Sequence, residues 1–160
     1  MSRRAQALAD RLEQGAQALA VFAEGLSDAE WRMRVPKDGR TVGVIVHHVA
    51  SVYPLEVQLA QSVAAGKPVA GVTWDAVAQM NAEHAREHGA VGKSETLALL
   101  RRNSKAAADT IRAFSDEQLD VAAPVSLNAE APLTTQFLVE DHALRHSFHH
   151  LARLRAAVGR

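Results

Sequence analysis

Apolar residues return at every third or fourth position along four separate stretches of this chain, and that spacing commits it to helices that each bury one face. The first stripe is Ala5, Leu8, Leu12, Ala16, Leu19 and Phe22. The second starts at Thr41, a hydroxyl placed to cap a helix, and continues through Ile45, His48, Val52, Leu55 and Leu59. The third enters at Ser94-Glu95-Thr96-Leu97 and runs through Leu100, Ser104, Ala107, Ile111 and Phe114. The fourth begins near Thr134 or Thr135 and ends at about Val158, before Gly159. No segment alternates convincingly with period two, so strands are not expected. Four long amphipathic helices predict a single all-α domain over residues 1–160, a four-helix bundle. Between the second and third helices there is room for a shorter one, Trp74 to His88, with Thr73 as its cap and Gly89 and Gly92 at its end. Pro54 predicts a kink or break in the second helix. Ser115 to Gln118 reads as a further helical turn, and 122–132, with two prolines and Asn128, reads as a loop.

Charge and cysteine content narrow the chemistry. Eighteen basic residues balance eighteen acidic ones, which argues against a protein built to neutralise phosphates. Arg101-Arg102 and the Arg153/Arg155 pair are short basic spots that read as solvated faces, so no nucleic-acid partner is expected. With no cysteine, the chain can supply neither a thiolate ligand nor a thiol nucleophile. Asp10, Arg11 and Glu13 interrupt the N-terminal stripe, so it does not read as an export signal. The longest unbroken apolar run, Val42 to Val46, is far short of the ~18 residues a membrane span requires. A cytoplasmic protein with no membrane partner is the expectation.

Histidine is the unusual component of the composition: there are eight in 160 residues. His146 and His150 are four apart, which puts them on one helical face about 6 Å apart at Cβ, close enough to chelate one ion. With His150 at zero on a helical wheel, Val139, Ala143, Leu154 and Ala157 fall within about 40° of it, an interior stripe. On the second helix His48 lies within about 60° of Thr41, Val44, Ile45, Val52, Leu55 and Leu59, whereas His47 points toward Gly43, Pro54, Gln58 and Gln61. His48 therefore joins His146 and His150 in a three-histidine site with open positions, the arrangement of catalytic metal centres. His47 and His149 each lie about 100° from a ligand neighbour and are not expected on the same ion. His84 and His88, set among Glu83, Arg86 and Glu87, read as a solvated face.

The run Val46-His47-His48-Val49-Ala50, followed about a hundred residues on by His146-Ser147-Phe148-His149-His150-Leu151-Ala152, resembles the DinB superfamily, and within it the YfiT-like branch. The resemblance covers the whole chain, including Trp31 and the Arg40-Thr41-Val42 approach to the second helix. It implies a bundle of up-down-down-up connectivity, often a homodimer, with zinc or nickel held by the residues matching His48, His146 and His150. Characterised branches transfer bacillithiol or mycothiol. The mycothiol-dependent isomerase branch differs, with glutamate at the position of His146 and a C-terminal domain for which this chain leaves no room.

Three neutral imidazoles leave a divalent ion its full charge, enough to deprotonate a thiol or to bring a water's pKa toward ~7. The favoured expectation is transfer of a low-molecular-weight thiol to a small electrophile. A second is hydrolysis of small esters or amides, which needs an acid or base that Glu56 and Glu140, about 80° off the ligand stripes, do not obviously supply. A third is a non-catalytic metal-binding stress protein, its site closed by His142 or Asn81. Trp74, Met80, Asn81 and His142 are the expected pocket wall.

Overall fold

The computed structural model describes all residues, 1–160. Its elements are α1 (Arg3–Glu24), α2 (Asp28–Arg32), α3 (Val42–Ala64), α4 (Trp74–Glu87), α5 (Lys93–Arg112), α6 (Asp116–Asp120), β1 (Ala122–Val125), β2 (Ala131–Thr134), α7 (Thr135–Leu138) and α8 (Arg145–Val158). A π-helical turn, Val139–Leu144, joins α7 to α8 and makes one long fourth helix of them. With α1, α3 and α5 it forms a four-helix bundle.

Side-chain ties fix the helix directions. Arg112 reaches Glu13 and Arg101 reaches Glu24, so α1 and α5 run antiparallel. Arg4 binds Gln136, Arg11 binds Glu140 and Arg160 approaches the carbonyl of Gly25, so the fourth helix runs parallel to α1. The start of α3 lies by the start of α5, where the Trp31 indole fills the space beside Gly43 and donates to Val91 O at 3.0 Å. Connectivity is therefore up, down, down, up, and the crossover from 65 to 92 carries α4 across the outside. One core threads the bundle, with Leu8, Leu12, Leu19, Ile45, Tyr53, Leu100, Ile111, Leu138 and Leu154 almost completely buried.

Local chemistry sets the helix starts. The Thr41 hydroxyl accepts from Val44 N and the Thr73 hydroxyl from Ala76 N. Ser27 with Glu30, and Ser115 with Gln118, form capping boxes that start α2 and α6. The expected interruption at Pro54 does not occur, and α3 is continuous. Pro54 has no N–H to give Ala50 O, and the Asn103 side chain donates to that carbonyl instead, at 2.8 Å. The expected loop at 122–132 is an antiparallel hairpin in which Pro124 faces Pro132 across one rung. Val69 N donates to Pro124 O, extending the hairpin toward the crossover. α3 is long and apolar enough to cross a membrane, but most of it is buried inside the bundle.

Candidate metal centre

α3 and the fourth helix bring His48, His146 and His150 together. His48 Nε2 lies 3.2 Å from His146 Nε2, and His150 Nε2 lies 3.0 Å from that same atom. One ring nitrogen from each residue falls within 4.8 Å of the others. Tetrahedral zinc with bonds of about 2.0–2.1 Å sets its ligand nitrogens about 3.3 Å apart, so the donor set fits such an ion. His48 and His150 are each only 6% exposed. Burial, and next the neighbouring His146, push His48 down to about 3 and His150 down to about 2. Both are therefore neutral at pH 7, with lone pairs free to ligate.

Behind the cluster stands Glu56, whose Oε1 is 2.8 Å from His146 Nδ1. Burial raises the Glu56 carboxyl above the ordinary range, and the facing His146 opposes that rise. With its proton on Nδ1, beside this carboxyl, His146 would present the Nε2 lone pair to His48 and His150. Glu56 is the residue that the wheel undervalued. At eight positions past His48 it sits about 80° around α3, but His146 extends across the gap from the opposite helix.

The cluster opens on a cavity of ≈ 400 Å³. All four expected wall residues, Trp74, Met80, Asn81 and His142, line it, joined by Leu55, Leu59, Glu56, Arg40, Arg145 and His149. The Trp74 indole donates to Leu127 O at 3.0 Å, which pins the start of α4 over the cavity mouth. His142 stands on the π-helical turn and is not part of the histidine cluster, whereas Asn81 lines the cavity beside it. Arg40 is clamped by Asp38 through Nε and Nη2 at 2.7 and 2.8 Å, while its Nη1 is buried with no partner. That clamp holds the Asp38 carboxyl down at about 2, mainly through the hydrogen bond from Arg40.

The solvated face expected at His84 and His88 is a correction. Both rings turn inward against His47, with His47 Nδ1 2.8 Å from His84 Nε2 and the His47 and His88 rings stacked 4.2 Å apart. The charged neighbours on α4 disclosed nothing of this, because the partner ring comes from α3.

No curated protein is similar enough in sequence to match. Among solved structures, YfiT from Bacillus subtilis, described as a probable metal-dependent hydrolase with an unusual four-helix bundle topology, superposes with a TM-score of 0.75 at 20% identity. The match covers 99% of this chain and 90% of that one, and it shows the shared fold. The sequence pattern of the DinB superfamily matches residues 11–154, a span that takes in most of each long helix and all eight histidines. The chain belongs to the DinB superfamily.

Proposed function

We propose that this protein is a metal-dependent transferase that joins a low-molecular-weight thiol to a small electrophile. His48, His146 and His150 would hold one divalent ion, zinc or nickel. The observation that carries the reading is the three-nitrogen cluster at the floor of a largely apolar cavity in a chain without cysteine. When bound, the ion supplies Lewis acidity that lowers the pKa of a thiol beside it. The chain's own residues do the rest. His48 and His150 stay neutral because they are buried, and Glu56, 2.8 Å from His146 Nδ1, favours a proton on that nitrogen, which would turn three lone pairs toward one point. Leu55, Leu59, Trp74 and Met80 give the cavity an apolar wall for the electrophile, and the Arg40 guanidinium on the same cavity favours an acidic group on either substrate.

One observation favours hydrolysis as a second reading. Glu56 Oε2 is buried without a partner in a residue that lines the cavity, and a carboxyl with a raised pKa suits general acid–base work. The two readings part in one assay. Zinc-loaded protein is given bacillithiol and monochlorobimane, or p-nitrophenyl acetate with no thiol. Thiol conjugation above the uncatalysed rate, lost in His150→Ala, is the expected result. Ester hydrolysis alone would establish the second reading, and stoichiometric zinc with neither activity would leave a non-catalytic metal protein.

A further inference from the structure

We propose that His47, His84 and His88 form a second divalent-cation site, next to the first and independent of it. One ring nitrogen from each of the three lies within 4.8 Å of the others, the same convergence that defines the cluster at His48. None of the three is fully exposed, although α4 itself buries no residue. His84 and His88, with Val77, Asn81 and Ala85, make the half-buried side of α4 and the residue that ends it.

Two details set this group apart from a chance gathering of polar side chains. His47 Nδ1 and His84 Nε2 approach to 2.8 Å, so a proton or a cation must lie between two lone pairs that would otherwise repel. Meanwhile His84 Nδ1 is buried with no hydrogen-bond partner, so nothing on that side of the ring prevents it from carrying the proton and leaving Nε2 its lone pair. His84 and His88 are one helical turn apart, and their ring centroids are 4.7 Å apart. A helical His-x-x-x-His pair plus one imidazole from a facing helix is the ligand topology of the first site, built here from α4 and α3 instead of α8 and α3. The two groups adjoin, since His47 and His48 are consecutive and the His48 and His84 rings are 5.7 Å apart, edge to face. An ion in the second group would tie α4, the wall of the cavity, directly to the helix that carries His48.

The test counts zinc by mass spectrometry on chelator-stripped protein, reloaded with zinc and passed through gel filtration. Wild type is expected to retain two ions per chain, the double variant His84→Gln/His88→Gln one, and His150→Ala one. Equal zinc in wild type and the double variant overturns the proposal. If wild type holds one ion that is lost only in His150→Ala, the second site is refuted and the first stands. If it holds one that is lost only in the double variant, the second site stands and the first is refuted. Because α4 buries no residue, the double variant should keep the wild-type circular dichroism spectrum. As a check that perturbs the helix less, His88→Gln alone should weaken the zinc affinity of His150→Ala protein at least tenfold. An unchanged affinity would count against the site.

Discussion

Glu56 and Asp38 are two carboxylates close to the cavity, and their surroundings push them in opposite directions. Glu56, buried against His146 Nδ1, is raised by desolvation. Replacing it by Gln keeps the shape but removes the ionisable oxygen beside His146 Nδ1. Zinc affinity should fall about 10–100-fold, as measured by competition with a chromophoric chelator, while the circular dichroism spectrum is unchanged. Asp38 is held down at about 2 by Arg40, below the ~3.9 of an unfolded chain. A depressed folded-state pKa stabilises the fold above pH 4, and that contribution is lost as the pH falls from 4 toward 2. Asp38→Asn should therefore cost about 1–2 kcal/mol at pH 7, allowing for solvent screening, and converge with wild type near pH 2. Urea titrations at several pH values check both the size and the convergence.

At the scale of elements, helix propensity and packing conflict at Gly43, one residue into α3. Alanine there should gain about 1 kcal/mol from propensity alone. A Cβ, however, would meet the Trp31 indole at 2.5 Å, and that ring is fixed by its hydrogen bond to Val91 O. Overpacking of this kind typically costs about 1–3 kcal/mol, so Gly43→Ala should come out destabilised in urea, with the sign opposite to propensity. The same contrast between local and tertiary causes explains what could be read in advance. Stripe positions such as Leu97, Leu100, Ile111 and Leu154 have a period that shows in sequence, and all are buried. So do the caps Thr41 and Thr73, whose partners lie three residues on. His48, His146 and His150 were legible because each sits on such a stripe. Glu56, and the inward turn of His84 and His88, were not, because their partners come from other helices. The hairpin at 122–134 was hidden by its two prolines, which argue against strands but here face each other across the same rung. Continuity at Pro54 depends on Asn103, from a helix about fifty residues away.

For the molecule as a whole, an ion at His48, His146 and His150 would fasten α3, which runs down, to the fourth helix, which runs up. The packing of α1 reinforces this, since a Cβ at Gly15 would strike Ser147 and Phe148, so α1 presses against the helix that bears His146 and His150. An ion held by His48 from one side and His146 and His150 from the other binds only the folded chain, because the unfolded chain does not keep residues a hundred positions apart together. Zinc at 100 times its dissociation constant should then add about 2.7 kcal/mol to stability. For a chain of this length that corresponds to roughly 5–11 °C in melting temperature. The measurement belongs in His84→Gln/His88→Gln protein, where an ion at the α4 group cannot contribute. Thermal unfolding with zinc and then with excess chelator should differ by that interval, and the difference should vanish when His150→Ala is added. A melting temperature indifferent to zinc in the double variant would mean that His48, His146 and His150 do not clamp the two helices through an ion. The cavity above them would then have to work without a metal at its floor.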